Sequence, residues 1–212
     1  MIQIGITDIS DLTDMEYRKL YERASLERQQ KADRYLRIQD SYRCIVGEVL
    51  LRHALQQSLG ISDVELIKTS SGKPCLSGKG RFDFNLSHSG RWVVLAWGNC
   101  PVGVDVEMIS MDESKERLAR RYFGEDEQAY LFAAHGQDRS RRFFEIWTKK
   151  ESYLKYRGTG ITCALNSFSV LTPQVLGVTF HVTFLEDAVL TLCTQDLACQ
   201  IVPVSLEMLL SE

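Results

Sequence analysis

A short alternating segment carries two acidic residues at a spacing that suits a metal site. Residues 103–108 read GVDVEM. Because successive side chains of a β-strand point to opposite faces, Asp105 and Glu107 share one face and lie about 7 Å apart. Both carboxylates can then reach one Mg²⁺ ion, directly or through bound water. The alternative interpretation is the solvated face of a half-buried strand, which the same spacing permits.

A third acid falls on the apolar stripe of a predicted helix. The apolar residues of segment 140–156 recur at helical spacing as Phe144, Trp147 and Leu154. Glu151 occupies the same stripe. A carboxylate in such a position needs a partner, because an unpaired buried charge is costly. The partner is either a metal ion or another cation, or Lys155 in an ordinary i,i+4 ion pair.

A serine and a histidine end the predicted strand 82–88. Their side chains point to opposite faces, so Ser87 and His88 lack the contact that a nucleophile and its base require. The SHSG segment instead offers hydroxyl, imidazole and backbone N–H groups that suit a phosphate. An ordinary polar hairpin turn at Ser89-Gly90 is the alternative.

Basic residues are concentrated in the predicted helices of residues 18–52. This segment has nine Lys or Arg and five Asp or Glu, a local excess of four positive charges. Such an excess is usual on a solvated helix face, but it can also receive an anion. The segment Gly72-Lys73-Pro74 lacks the spacing of a phosphate-binding P-loop and is a weak signal alone.

The elements that must position these residues form two similar runs. Alternating apolar residues indicate strands, and helical periodicity indicates helices. The predicted strands cover residues 2–8, 63–68, 82–88, 91–97, 101–109, 178–184 and 189–194, and the main helices cover 39–59, 112–134 and 140–156. Because a helical run followed by a hairpin occurs twice, the order favours an α+β fold with antiparallel sheet over alternating βαβ units.

Composition excludes several classes of protein. The chain has 212 residues, 44% hydrophobic and 25% charged, unlike disordered or collagen-like chains. The net charge of −3 provides no overall positive field for nucleic acid or anionic membrane. No apolar run approaches the roughly 20 residues that span a bilayer. Six cysteines without a C-x-x-C pair predict free thiols, and an N-terminus without a basic, apolar leader predicts a cytoplasmic protein.

Four motifs, in this order, are similar to those of the Sfp-type 4'-phosphopantetheinyl transferases: GKPCLSG, FNLSHSGRWVVLAW, PVGVDVE and FFEIWTKKESYLKYRGTGI. They cover residues 72–108 and 143–161, and residues 28–52 also resemble this family. The resemblance implies an α+β pseudo-dimer of two similar halves, each a small antiparallel sheet with helices, with the active site at their junction. We divide the chain into a coenzyme A-binding half, residues 1–102, and a half with the metal and catalytic residues, 103–212.

The resemblance implies transfer of 4'-phosphopantetheine from coenzyme A to a serine of an apo peptidyl or acyl carrier protein, with release of adenosine 3',5'-bisphosphate. It places Mg²⁺ on Asp105, Glu107 and Glu151. Glu151 is also the candidate base, and Lys155 is the candidate group that assists the departing phosphate. Coenzyme A contacts are expected from Arg28, Lys31, Arg43, Lys73, Pro74, Ser87, His88 and Lys155.

The expected partners are therefore coenzyme A and an apo carrier protein, without nucleic acid or membrane, and we expect a monomer. The segment 111–131 mixes basic and apolar residues, which suits either an acidic carrier helix or ordinary packing on the core. A non-catalytic coenzyme A-binding or carrier-binding module is the alternative function. The three acids argue against it.

Overall fold

Helices and strands follow each other in two similar runs. The structure is a computed structural model that describes residues 1–61, 66–69, 72–77, 82–110, 114–160 and 164–211. The first run comprises β1 (Ile2–Asp8), α1 (Asp14–Arg23), α2 (Leu26–Ala32), α3 (Ile38–Leu59), β2 (Leu66–Lys68), β3 (Pro74–Leu76), β4 (Asp83–Ser89) and β5 (Trp92–Gly98). The second comprises β6 (Val102–Met108), α4 (Ser114–Tyr122), α5 (Glu125–Phe132), α6 (Gly136–Arg157), α7 (Pro173–Leu176), β7 (Thr179–Phe184) and β8 (Ala188–Thr194), and β9 (Cys199–Pro203) and α8 (Leu206–Ser211) follow.

Two three-stranded antiparallel units have the same strand order. In the first, β5 lies between β1 and β4, and in the second, β8 lies between β6 and β7. The helices α3 and α6 have 22 residues each, and both end at a glycine in the left-handed conformation, Gly60 (φ 67°) and Gly158 (φ 62°). This internal repeat confirms the expected α+β pseudo-dimer.

The last strand and helix return to the first sheet. β9 runs parallel to β1 and extends that sheet to four strands. Arg23 of α1 donates hydrogen bonds to the backbone carbonyls of Leu209 and Leu210 in α8. Residues 199–211 therefore pack with the N-terminal half, although the division drawn from the sequence places them in the C-terminal half. The physical reason is that β9 covers the edge of β1, which would otherwise leave its backbone groups unpaired.

An apolar cluster between the two sheets joins the halves. Its buried members are Ile2, Ile4, Val94 and Ala96 of the first sheet and Val102, Val104, Val106, Ala188, Leu190 and Leu192 of the second. On its other face the first sheet packs against α3, through residues such as Ile45 and Leu50. Because buried side chains are closely packed, this shared cluster fixes the two sheets relative to each other.

The hairpin turn between β4 and β5 differs from the prediction by one residue. The turn consists of Gly90 and Arg91 instead of Ser89 and Gly90. Gly90 adopts a φ of 55°, which glycine tolerates because it has no Cβ atom. Ser89 consequently remains in β4, and its side chain is available to the site described below.

The predicted helix 112–134 is also corrected. The structure has two helices there, α4 and α5, because Gly124 takes an extended conformation and begins a new helix as its N-cap. Residues 111–113, and residues 63–65 of the predicted strand 63–68, lie outside the described residues. The predicted helix 39–59 and the strands 2–8 and 101–109 agree with α3, β1 and β6 within one residue at each end.

The prediction of free thiols is confirmed for the cysteines in the described part of the chain. Five cysteines are free thiols: Cys44, Cys75, Cys100, Cys193 and Cys199. Cys163 lies outside the described residues. None of the helices in the described part of the chain combines the length and apolarity needed to cross a membrane.

Candidate active site at the junction of the halves

Side chains join β4 and β6, the neighbouring edge strands of the two sheets. Three side chains of β4 accept hydrogen bonds from backbone N–H groups of β6: Asn85 Oδ1 from Val104 (2.8 Å), Ser87 Oγ from Val106 (3.2 Å) and Ser89 Oγ from Met108 (3.2 Å). These three residues, which we call the polar seam, share one face of β4 because side chains alternate along a strand. These hydrogen bonds from the backbone of β6 to side chains of β4 replace the backbone-to-backbone hydrogen bonds of an ordinary strand pair. They hold the acidic face of β6 beside β4.

The two serines of the polar seam also orient the two strand acids. Ser87 Oγ donates a hydrogen bond to Asp105 Oδ1 (3.0 Å), and Ser89 Oγ donates one to Glu107 Oε2 (2.8 Å). The other oxygen of Asp105, Oδ2, is buried and has no hydrogen-bond partner among the described residues. Since buried polar atoms are nearly always satisfied in native proteins, this oxygen is available to a ligand.

A glycine brings α6 against β6. A Cβ atom on Gly103 would lie 2.1 Å from Ser152 O and 2.3 Å from Tyr156 N, both in the backbone of α6. Only a residue without a side chain permits this approach. As a result, Glu151 and Lys155 of α6 line the same cavity as the acids of β6.

Lys155 binds the strand acid and not the acid on its own helix. Its Nζ donates hydrogen bonds to Asp105 Oδ1 (2.7 Å), Ser87 Oγ (2.9 Å) and Val104 O (3.1 Å). The i,i+4 ion pair with Glu151, one of two interpretations drawn from the sequence, is therefore replaced by a pair between α6 and β6. Glu151 keeps its carboxylate for another partner.

The three acids are short of positive charge. Burial raises the pKa of Asp105, against the opposing effect of Lys155 and Ser87. Burial and the charge of Asp105 together raise the pKa of Glu107. The same two causes raise the pKa of Glu151, and Lys155 again opposes them. Among the described residues, Lys155 alone forms an ion pair with any of these three mutually repelling carboxylates, an arrangement that favours binding of a further cation.

The residues present fit a hard cation such as Mg²⁺. The donors are carboxylate oxygens, which Mg²⁺ prefers, and Asp105 Oδ2 lacks a partner within the described part of the chain. No ready-made cage of three acidic, histidine or cysteine ligands occurs among the described residues. Mg²⁺ commonly uses only one or two carboxylates and completes its coordination with water and substrate phosphate, so a partial ligand set is compatible with its chemistry.

Three adjoining cavities that share lining residues lie along the junction, and together we call them the groove. The first, of about 600 Å³, is lined by Arg28, Lys31 and Pro74, among others. The second, of about 210 Å³, shares Pro74 with the first. It also shares Glu151 and Lys155 with the third, of about 380 Å³, which contains the strand acids. The groove therefore connects a cationic end to an acidic end.

Two expected coenzyme A contacts also have structural roles. Lys73 lines the second cavity, and its Nζ donates to Asp83 Oδ1 and Val102 O, both at 3.0 Å. Arg43 donates to Gly90 O (2.7 Å) and is paired with Asp40. Arg43 is thus placed at the β4–β5 turn, beside His88, and the two expected contacts help to hold the elements around the groove.

His88 lines the third cavity, as does Ser87. Partial removal from water and the positive charge of Arg43 lower the pKa of His88. A phosphate bound nearby would reverse this effect, because an anion stabilises the imidazolium form.

Two residues that contact the candidate site residues, Ser89 and Glu48, were not predicted from the sequence. Ser89 was assigned to the turn, although alternation from Ser87 would have placed it on the same face. Glu48 was counted only in the charge balance of residues 18–52. Glu48 is buried and forms ion pairs with Arg28 and Arg52. The pair with Arg52 could have been predicted from the sequence, because an acid four residues before an arginine on an apolar helix indicates an ion pair.

The segment 111–131, for which carrier binding and core packing were both left open, includes the helix α4, whose surface is partly exposed and partly packed by aromatic residues. Arg117 and Arg120 of α4 are exposed, and the Arg120 guanidinium lies 4.8 Å from the centre of the Phe132 ring. Phe123, just after α4, is fully buried. One side of this segment therefore packs on the core while its basic side chains face solvent.

Comparison with known proteins identifies similar chains over most of this length. The family description "4'-phosphopantetheinyl transferase superfamily" matches residues 101–202, and "4'-phosphopantetheinyl transferase, N-terminal" matches residues 12–99. The chain is 34% identical over 175 residues to the 4'-phosphopantetheinyl transferase Sfp of Bacillus subtilis (strain 168), covering 80% of this chain and 76% of that protein. It is 34% identical over 168 residues to the transferase ffp of Bacillus subtilis, with 78% and 74% covered. It is 41% identical over 148 residues to the transferase gsp of Aneurinibacillus migulanus, with 68% and 60% covered.

Proposed function

Because the chain belongs to the 4'-phosphopantetheinyl transferase family, we propose that it moves 4'-phosphopantetheine from coenzyme A to a serine of an apo peptidyl or acyl carrier protein. Adenosine 3',5'-bisphosphate is the second product. The observation that carries this proposal is the row of adjoining cavities from Arg28 and Lys31, past Pro74, to the acids beside Lys155. Coenzyme A is an elongated ligand with a 3'-phosphate at one place and a pyrophosphate at another, which suits such a groove.

The cationic end of the groove receives the 3'-phosphate. Arg28 and Lys31 line the first cavity, and hydrogen bonds from such cations to phosphate are about twice as strong as neutral ones. Arg43 and His88 provide a second cationic group at the β4–β5 turn, where His88 lines the third cavity and can contact another phosphate of coenzyme A. Pro74 and Lys73, where the first two cavities meet, contact the adenine portion.

Asp105, Glu107 and Glu151 hold Mg²⁺ in this proposal. When bound, the ion neutralises the pyrophosphate and the charge that develops on it during transfer. The polar seam keeps the two strand acids in place, since Ser87 and Ser89 each donate a hydrogen bond to one of them.

Glu151 and Lys155 act on the reacting groups. The carrier serine oxygen forms a bond to the phosphorus that bears the pantetheine arm, and the bond from this phosphorus to the bridging oxygen breaks. Glu151 takes the serine proton as the general base. Lys155 donates to the departing phosphate oxygen of adenosine 3',5'-bisphosphate, and most of the rate enhancement comes from positioning and charge stabilisation.

The proposal is tested by incubating the full chain with coenzyme A, Mg²⁺ and a panel of apo carrier proteins. We expect one carrier or more to gain the mass of a single phosphopantetheine group, with an equal amount of adenosine 3',5'-bisphosphate released. A non-catalytic binding module would retain coenzyme A without releasing the nucleotide. Transfer of phosphate alone would contradict the proposal, because that result indicates a different phosphotransferase.

A matched pair of variants connects the activity to this site. Glu151→Gln removes a charge from the acid cluster, and Glu145→Gln removes one from the same helix outside the cavity, where Glu145 pairs with Lys149. We expect Glu151→Gln to lower kcat by about 100-fold or more, as is typical when an acid–base group is lost, and Glu145→Gln to stay close to wild type.

A further inference from the structure

One buried carboxylate organises the cationic end of the groove. Glu48 of α3 is 5% exposed and lies between Arg28 of α2 and Arg52 of its own helix. Arg28 Nε donates to Glu48 Oε2 (3.1 Å), and Arg52 Nε donates to Glu48 Oε1 (3.0 Å). Both arginines line the first cavity together with Lys31, so the acid sits between two guanidinium groups of one cationic pocket.

Glu48 also fixes the start of the helix that carries Arg28. Its Oε1 accepts a hydrogen bond from Ser25 N–H (2.7 Å), and its Oε2 accepts one from Ser25 Oγ (2.9 Å). Ser25 is the N-cap of α2, and its Oγ accepts from the N–H of Arg28 (3.3 Å). The carboxylate thus receives four donors, two on each oxygen, which fills its acceptor capacity. Arg28 is held through both its backbone and its side chain.

The two arginines contact Glu48 in the same manner. Each uses Nε, and the terminal Nη1 of Arg28 extends beyond the acid to Cys44 Sγ (3.8 Å). Burial by itself raises the pKa of Glu48, but the hydrogen bonds from Ser25, Arg52 and Arg28 lower it below its ordinary value. The acid therefore stays ionised and keeps both guanidinium groups oriented.

We propose that Glu48 is a positioning residue for recognition of the 3'-phosphate, because it holds the guanidinium groups of Arg28 and Arg52 at the wall of the cavity that receives this phosphate. This inference rests on the proposed function, since it concerns the same coenzyme A site. A carboxylate in a phosphate pocket repels the phosphate by charge alone. It therefore favours binding only through the orientation that it imposes on the arginines. Replacing Glu48 by a neutral residue distinguishes these two influences. Phosphate affinity rises if the repulsion dominates, and it falls if the orientation of the arginines dominates.

The test measures the dissociation constants of adenosine 3',5'-bisphosphate and of adenosine 5'-monophosphate for the full chain by titration calorimetry. Their ratio is the preference for the 3'-phosphate. We expect Glu48→Gln to lower this preference by about tenfold or more, the value of one charge-assisted hydrogen bond. Glu22→Gln is the control, because Glu22 is an exposed acid of the neighbouring helix α1 and is not among the residues that line the first cavity. It should keep the preference within about twofold of wild type.

A preference that is unchanged or increased in Glu48→Gln overturns the inference, because charge removal alone then explains the result. Should Glu48→Gln fail to fold, Ser25→Ala removes one of the four donors at the partly buried N-cap and is expected to produce a smaller loss of the same preference. A Ser25→Ala preference equal to that of wild type then overturns the inference. A wild-type chain without any preference contradicts the coenzyme A assignment itself and, with it, the role of Glu48.

Discussion

Lys155 Nζ of α6 lies 2.7 Å from Asp105 Oδ1 of β6, and this ion pair joins the two elements that carry the acid cluster. The pair depends on Gly103, which lies on the same face of β6 as Asp105 and lets the backbone of α6 approach. The chemistry of the site therefore depends on a residue that has no side chain.

Gly103→Ala is expected to damage both the fold and the site. The added Cβ would meet backbone atoms of α6 at 2.1 and 2.3 Å, and backbone cannot move aside as a flexible side chain can. We expect a loss of about 3 kcal/mol in the free energy of unfolding, at the upper end for overpacking. A shift of Lys155 and Glu151 relative to Asp105 is expected to lower kcat/KM by about 100-fold. Urea denaturation and the transfer assay measure the two effects.

Gly5→Ala is the matched control for this substitution. Gly5 is also inside a strand, but its Cβ would meet side-chain atoms, Trp97 at 3.0 Å and Leu50 at 3.4 Å. These neighbours can adjust, so we expect a smaller loss of stability and near wild-type kcat/KM in the folded fraction. Equal losses of activity in Gly5→Ala and Gly103→Ala would show that general destabilisation, and not the approach of α6, explains the effect.

The acid cluster is expected to reduce the stability of the chain when no Mg²⁺ is present. Because Glu151 is repelled by Asp105 and Glu107, Glu151→Gln should raise the Tm in EDTA while activity falls. A rise of about 2 °C corresponds to a stabilisation of about 0.5 to 1 kcal/mol for a chain of this length. Addition of Mg²⁺ should raise the Tm of wild type more than that of the variant. A lower Tm for Glu151→Gln in EDTA would contradict this account.

The same three acids give a pH dependence of definite sign. Their pKa values are raised in the folded state, so the folded chain binds more protons than the unfolded chain between the unfolded and folded pKa values. Their contribution to stability is present at low pH and is lost as pH rises through the folded values. The Tm contribution of the cluster, measured as wild type minus Glu151→Gln in EDTA, should therefore decrease from pH 4 toward neutrality. If this Tm difference increases with pH, the three acids do not have the raised pKa values on which the prediction depends.

A buried ion pair outside the groove holds α5 to α6. Lys150 and Glu127 are both 0% exposed and lie 2.8 Å apart. Glu127→Gln leaves an uncompensated buried ammonium and should cost about 3 to 5 kcal/mol. The matched surface pair is Arg91 with Glu186, at 2.7 Å, where Glu186 is 81% exposed, and Glu186→Gln should cost less than about 1 kcal/mol. Similar losses in both variants, by urea denaturation, would contradict the distinction.

Exposed arginines of α4 are expected to attract an acidic carrier. Arg117→Glu should raise the KM for the carrier several-fold and leave the KM for coenzyme A unchanged, because electrostatic steering acts on the encounter with the charged partner. Added salt should reproduce this effect in wild type. Arg141→Glu is the control, an exposed arginine on α6 beside Phe184. A carrier KM that is indifferent to salt and to Arg117→Glu would leave α4 a purely structural helix.

The local chemistry of the site could be predicted from sequence periodicity. Alternation placed Asp105 and Glu107 on one face of β6, and helical spacing placed Glu151 on the stripe of α6. These patterns are local, because two residues of one strand or helix are related by its fixed geometry. The same reasoning predicts that Ser87 and His88 point to opposite faces of β4, which argues against a serine nucleophile paired with that histidine.

The partners across the junction could not be predicted in this way. Sequence spacing offered Glu151 as a partner for Lys155, whereas the ammonium binds Asp105, 50 residues away along the chain. That choice depends on how closely α6 approaches β6 at Gly103, which is a property of packing between elements. The return of β9 to β1 is likewise a tertiary contact, and no local pattern in residues 199–203 distinguishes the two sheets as its partner.

His88 provides the last prediction, a proton taken up when the nucleotide binds. Its pKa is lowered in the free chain by partial removal from water and by Arg43, so the imidazole is largely neutral near pH 7. A phosphate of the bound nucleotide beside His88 raises this pKa, and within the resulting window the affinity for adenosine 3',5'-bisphosphate should fall, as the pH rises, by up to about tenfold per pH unit. Titration calorimetry in two buffers of different ionisation enthalpy measures the proton uptake. His88→Gln removes the contribution of the imidazole while the protonation of the ligand phosphate itself remains, so the difference between the two chains isolates His88. Equal proton uptake by wild type and His88→Gln would mean that the histidine does not meet the phosphate, and the cationic set would then consist of arginine and lysine alone.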